Sequence, residues 1–266
     1  MTEMTLATVL AEMVETEGGY SAPVAENWAQ GRTAYGGYTA TLLLAATRRA
    51  LPDHAPLRSA MINFTGPLSA APKISVEVLR QGRNVTTALA RAEIEGKVAA
   101  TGTFSFGAAQ DSHVSEICPA PDAPAPEDTP SFFPKEMKRL PARFFNNFEI
   151  KLIEGSLPFM GAEKGRMRVW CRHKDAASRG SLEGLFCLGD ALPPAIFAKC
   201  KIPGPNSSVN WMFNLMLEDI ATRDGWYMLE SELTAAGNGY SSQVMRLWNT
   251  EGQLVADAMQ SVVIFM

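Results

Sequence analysis

The chain repeats itself. One apolar helix followed by strands of similar length and spacing occurs in the first half and again in the second, and this self-similarity constrains the fold more than any single motif does. The first copy reads as a helix over residues 37–50, strands over 57–64 and 74–80, and a hairpin pair over 85–106. The second reads as a helix over 182–191, strands over 207–217 and 226–234, and a pair over 241–265. Between the copies, residues 108–130 carry Pro119, Pro121, Pro124, Pro126 and Pro130 among Asp111, Glu116, Asp122, Glu127 and Asp128. Proline at that density favours an extended, semi-rigid connector. The expected organisation is an N-terminal repeat over 1–110, a Pro-rich acidic linker over 111–133 and a C-terminal repeat over 134–266.

The copies differ in polarity, and the difference points to chemistry. Both late hairpins contain a glycine suited to a tight turn, which aligns Gly96 with Gly252. Beyond it, one face of the first strand carries Val98, Ala100, Gly102, Phe104 and Phe106, and the other copy carries Leu254, Ala256, Ala258, Gln260 and Val262. Gln260 therefore falls on a core face. A buried primary amide without partners costs about 1–3 kcal/mol, so it is either a satisfied core glutamine or has a polar group to meet. The first helix is apolar almost all round, as expected of a helix enclosed by a sheet. Its counterpart ends in Asp190, before Pro193 and Pro194, which stop or kink a helix. With Phe64 set against Phe213, Asp190 aligns with Thr41 and Ser208 with Ser59. Asp190, Ser208 and Gln260, all in the second copy, form the candidate catalytic set, with the adjacent Ser207 an alternative to Ser208.

Composition narrows the field. The chain has 266 residues, 46% apolar and 20% charged, which fits an ordered globular protein of one large or two ordinary domains. A formal charge of −4 without a Lys/Arg cluster argues against nucleic acid as a partner. The apolar runs fall short of the roughly 20 residues that span a bilayer, and the N-terminus lacks the basic flank of a signal peptide, so a cytoplasmic protein without a membrane partner is expected. Cys118, Cys171, Cys187 and Cys200 with His54, His113 and His173 form no metal-ligand spacing. Cys171 and His173 share one face of a strand, and no metal is expected. The absence of a GxSxG motif disfavours a Ser-His-Asp hydrolase.

Four segments in order carry a resemblance: residues 28–38 (WAQGRTAYGGY), 79–87 (LRQGRNVTT), 189–194 (GDALPP) and 257–260 (DAMQ). Together they resemble the thioesterase-like branch related to type II acyl-CoA thioesterases, over residues 15–265 apart from the linker. The resemblance implies an α+β double hot-dog, in which each of two tandem antiparallel sheets wraps a central helix. It implies an acyl-CoA thioester as substrate, no cofactor beyond the coenzyme A of that substrate, and a homodimer. It also implies catalysis by a helix Asp, a strand Ser or Thr and a late-strand Gln, which map onto Asp190, Ser208 and Gln260. Asp190 is then expected to activate a water that Ser208 and Gln260 hold, with direct attack by Asp190 as the alternative. Gly36 and Gly37 read as a tight turn or as a close approach of ligand to the helix start. Arg80 and Arg83, beside a turn, are candidates for coenzyme A phosphates, against the commoner reading of solvated arginines. Two other functions stay open: a hot-dog hydratase, which wants an imidazole near the helix, and a non-catalytic acyl-CoA or lipid-binding protein.

Overall fold

A computed structural model describes residues 3–134 and 136–265. Short strands come first: β1 (Val14–Thr16), β2 (Gly19–Ser21) and the small pair β3 (Ala29–Gln30) and β4 (Thr33–Ala34). The long strands of the first half are β5 (Leu57–Phe64), β6 (Lys73–Gln81), β7 (Val85–Ile94) and β8 (Lys97–Gly107). Those of the second half are β9 (Phe148–Gly155), β10 (Arg166–His173), β11 (Asn206–Leu215), β12 (Tyr227–Gly237), β13 (Tyr240–Trp248) and β14 (Leu254–Ile264). The helices are α1 (Leu6–Ala11), α2 (Gly36–Ala50) and α3 (Leu182–Gly189).

The strands outside the β3–β4 pair form one 12-stranded sheet in the order β1-β2-β6-β7-β8-β5-β11-β14-β13-β12-β10-β9. Read inward from either end, the order is the same for each half, and the halves meet where β5 pairs antiparallel with β11, Met61 opposite Met212. This is the double hot-dog, an α+β fold with a helix inside each half of the sheet. Strand β9 is an addition to the sequence reading, which starts the second copy's strands later.

Helix α2 is buried from Gly37 to Thr47, as its all-round apolar sequence requires. Its threonines tolerate burial because Thr39, Thr41 and Thr47 each donate to a carbonyl one turn back. Helix α3 is capped by Ser181, whose hydroxyl accepts from the Gly184 N–H, and it stops at Gly189 rather than Ala191, with Asp190 as C-cap. The two helices pack antiparallel. Thr41 of α2 donates to the Glu183 carbonyl of α3, and Tyr35, just before α2, donates to Cys187 near the end of α3. The start of α2 therefore faces the end of α3.

Strand pairing revises the alignment of the copies. Ala60 lies opposite Phe104 and Trp211 opposite Gln260, so Gln260 matches Phe104, as the Gly96–Gly252 alignment requires. The same ladders carry matching β-bulges at Arg58 and Val209, so the register is kept past them and Leu57, not Ser59, is the counterpart of Ser208. Counted from the first residue of each helix, Asp190 matches Leu44, not Thr41. The Phe64–Phe213 anchor lies two residues out of register, since Phe213 matches Ile62, which misplaces Ser208, and the connections between helix and strand differ in length, which misplaces Asp190. The two turns also differ. Glu95 and Gly96 form a two-residue turn with φ of 50° and 73°, the left-handed pair that such a hairpin demands, whereas residues 249–253 make a longer turn.

The linker is not free chain. Its Pro124 and Cys118 carbonyls accept from the indole N–H groups of Trp170 and Trp248, and Ala120 and Ala123 pack on the cluster containing those tryptophans, Trp226 and Met228. The segment thus covers one face of the C-terminal half of the sheet.

Candidate active site

Asp190 is 8% exposed and lies where α3 ends and α2 begins. No side chain caps α2, so its first-turn N–H groups are available to an anion. Gly36 and Gly37 make the approach possible. A Cβ on Gly36 would stand 2.5 Å from Asp190 Oδ2, and one on Gly37 would stand 2.3 Å from the Cys187 carbonyl oxygen. Neither glycine needs a left-handed backbone; the space is what matters. Burial pushes the Asp190 carboxyl up to about 7, against the opposing pull of the Gln260 amide and the Gly37 N–H.

A chain of amides aims the site. The backbone N–H of Ala195, in the 3-10 turn that follows Pro193 and Pro194, donates to Gln243 Oε1 at 2.7 Å. Gln243 Nε2 donates to Gln260 Oε1 at 2.8 Å, directly across the β13–β14 ladder. Gln260 Nε2 then donates to Asp190 Oδ1 at 2.7 Å and to Ser208 Oγ at 3.1 Å. A backbone N–H can only donate, so the first bond dictates which end of each amide points which way. Gln260 must present its NH2 group to the carboxylate. The Ser208 oxygen receives that NH2 group and keeps its own proton to give.

The bulge at Val209 turns Ser208 to the same side as Trp211, which plain alternation along the strand would forbid. Ser207 is exposed and donates to the Ser208 carbonyl, so Ser208 is the serine that meets Gln260. Gln243 escaped the sequence reading, although the signal was the one that revealed Gln260: an amide on the buried face of an alternating strand, among Ser241, Met245 and Leu247.

Two clefts meet at this point and share Gln30, Gly31, Asn206 and Ser208. One, of about 570 Å³, is lined by Arg32, Thr33, Gly36, Phe64 and residues 65–68 and 205–208. The other, of about 410 Å³, is apolar away from its mouth and includes Asp190 and Gln260. Arg80 and Arg83 are not brought to either cleft. Arg80 pairs with Thr87 towards the far end of β6, and Arg83 lines a separate hollow with Asp53 and His54. Arg32, within the 28–38 segment, is the cation beside the site. His173 is buried, its Nε2 is 2.8 Å from the Gly184 carbonyl oxygen, and burial lowers it to about 4. Gly184 and Asp190 are six residues apart, roughly 9 Å along α3, so no imidazole stands at the carboxylate as hydratase chemistry would want. Among the described residues, no group of three or more potential ligands could hold a metal ion, and no helix is long and apolar enough to cross a membrane.

The sheet wrapped around two helices is a hot-dog fold, with a buried carboxylate held by an amide where the two helix ends meet. Family models agree: one described as acyl-CoA thioesterase C-terminal domain matches residues 118–264, and one described as acyl-CoA thioesterase N-terminal domain matches residues 24–107. The chain belongs to the acyl-CoA thioesterase family and is a thioester hydrolase. No curated protein matches it in sequence. Among solved structures, a conserved hot-dog protein of unknown function from Alicyclobacillus acidocaldarius superposes with a TM-score of 0.88 at 21% identity, covering 99% of each chain. A candidate thioesterase II from Thermobifida fusca gives 0.82 at 22% identity, covering 98% of this chain and 99% of the other. The acyl-CoA thioesterase II TesB2 of Mycobacterium marinum gives 0.75 at 20% identity, covering 97% and 98%. These likenesses establish the fold.

Proposed function

We propose that the chain hydrolyses acyl-CoA thioesters with Asp190 as general base, acting on a water held by Ser208 and Gln260. The observation that carries this reading is the raised carboxyl of Asp190, about 7, beside a serine whose proton is uncommitted. A base that titrates near neutral pH combines an ionised fraction with a real affinity for the proton it takes. Asp190 removes a proton from water as the oxygen adds to the thioester carbonyl. The tetrahedral intermediate expels the thiolate of coenzyme A, which takes up that proton, leaving free acid and thiol. First-turn N–H groups of α2 are placed to stabilise the oxyanion, and fixed dipoles in a dry site do so without reorganising.

The repeats divide the work on this reading. The N-terminal repeat, 1–110, supplies the helix start and Arg32 for the coenzyme A side. The C-terminal repeat, 134–266, supplies the reacting groups. Direct attack by Asp190 is less favoured, because a carboxyl pushed up to about 7 is suited to accepting a proton. The reading includes a cytoplasmic homodimer acting in lipid metabolism, whose assembly sedimentation would test.

The test is free-thiol release from a panel of acyl-CoAs with wild type and Asp190→Asn side by side. Release that collapses in the variant supports the mechanism. Undiminished release would remove Asp190 from it, and binding without release in wild type would favour an acyl-CoA-binding protein.

A further inference from the structure

The apolar cleft has an unusual wall. Phe132, Phe133, Phe144 and Phe145, from the segment that precedes β9, line it together with Phe159 and Phe197. The rings are joined in a chain. Tyr35 stacks on Phe144 at 4.0 Å, Phe144 meets Phe145 at 4.1 Å, Phe145 meets Phe133 edge-on at 5.0 Å, and Phe133 meets Phe132 edge-on at 4.9 Å. In the same lining, Phe159 and Phe197 form a second pair, 4.9 Å apart. Phe159 holds a φ of 67°, an uncommon conformation for a bulky side chain, while its N–H donates to the Phe197 carbonyl at 2.6 Å.

The polar liners Gln30, Asn206, Asp190, Ser208 and Gln260 include the reacting groups, and all but Asp190 and Gln260 also border the neighbouring cleft. Polar character therefore gathers where the two clefts adjoin and at the reacting groups, and rings and prolines make up most of the rest, with Met137, Leu157 and Leu192 among them. Such a wall is stiff. Each ring has only two side-chain torsions, and the rings brace one another in edge and stacked geometries that a further ring can join. A flexible aliphatic wall would instead adapt to chains of many lengths. Size sets a second limit: at roughly 30 Å³ per carbon-sized group, about 410 Å³ holds about a dozen heavy atoms.

Resting on the reading that Asp190 is the site of hydrolysis, we propose that the acyl group this enzyme selects is a compact, ring-bearing one, an arylalkanoyl group of up to about a dozen carbons. The ring packs among the phenylalanines that line the cleft, and the short alkyl arm brings the carbonyl to Asp190. Long unbranched acyl chains are poor substrates.

The experiment compares two esters of equal carbon number, 4-phenylbutanoyl-CoA and decanoyl-CoA, with palmitoyl-CoA as the long chain, by thiol release from the wild-type enzyme. The expected result is a kcat/KM about tenfold higher for the phenyl ester than for decanoyl, the size of effect that one or two ring contacts supply, with palmitoyl lower than both. Decanoyl equal to or better than the phenyl ester overturns the proposal, as does palmitoyl turned over as well as either. Phe133→Leu should bring the phenyl-to-decanoyl ratio towards one, and an unchanged ratio also counts against the ring-lined wall. If no ester releases thiol, the hydrolysis reading fails separately. Calorimetric binding of the same two esters to the wild-type protein then decides the ring preference: tighter phenyl ester binding upholds it, and equal affinity overturns it.

Discussion

The two halves of this molecule share a fold and differ at three matched places. Where the first has Leu44, Leu57 and Phe104, buried at 0%, 3% and 0% exposure, the second has Asp190, Ser208 and Gln260. The helix pair shows the same contrast end to end. At one end Glu183 of α3 meets Arg48 of α2 at 2.5 Å, an ordinary ion pair. At the other, Asp190 faces glycines and a bare helix start, with no cation against it among the described residues. Burial without a cation raises the proton affinity of Asp190, at a cost in stability that the apolar copy does not carry.

Asp190→Asn tests that contrast most severely. Thiol release should fall by about 10²–10⁴-fold, the range of a lost general base; release within a fewfold of wild type would end the comparison. Gly36→Ala comes next. A methyl 2.5 Å from Asp190 Oδ2 must displace it, so kcat should drop by about tenfold or more and stability by about 1–3 kcal/mol, read by denaturant titration.

Acidity gives the third. With Asp190 titrating at about 7, kcat/KM should fall about tenfold per unit below that value. Stability moves the opposite way. The folded state binds the proton more tightly than the unfolded chain between the ordinary 3.8 and about 7, so stability declines as pH rises through that window, by up to about 4 kcal/mol. Asp190→Asn should lack this part of the decline in otherwise matched melts.

Gln243→Glu sharpens the role of the amide chain. An ionised carboxylate at that position would accept from both Ala195 N–H and the Gln260 NH2 group. Gln260 would then turn its oxygen to Asp190, and the pH profile should shift alkaline by about one unit. An unshifted profile with lower stability would make Gln243 structural only. The smallest effect on activity is expected from Leu57→Ser in the apolar copy. Stability should fall by about 3 kcal/mol, while thiol release per folded molecule stays unchanged; a large loss of turnover would show that the first copy contributes chemistry.

Much of the fold is legible because strands advertise their buried face locally. The span of β5 is as the apolar run reads, and β14 alternates as expected, with Ala256, Ala258, Gln260 and Val262 inside and Met259 out. Gln260 stands out for the same reason. The Ser208–Ser59 alignment goes astray because Phe64 and Phe213 are not register partners across the copies, which residue type alone does not reveal, and the Asp190–Thr41 alignment because connection lengths differ between copies. Arg32 lay inside the segment that carried the resemblance, but a surface arginine has no local signature of its cleft.

By itself the sequence determined the duplication, the buried faces, the family and the three candidate residues of the second copy, because those are matters of period and residue type along the chain. Tertiary structure alone decided that Asp190 meets Gly36 of the other repeat, that the Ala195 N–H reaches Gln260 through Gln243, and that the phenylalanines of residues 132–145 line one cleft with Phe159 and Phe197. These contacts depend on how two helices and two half-sheets come together, and no local propensity encodes the meeting of groups 154 residues apart, as Gly36 and Asp190 are.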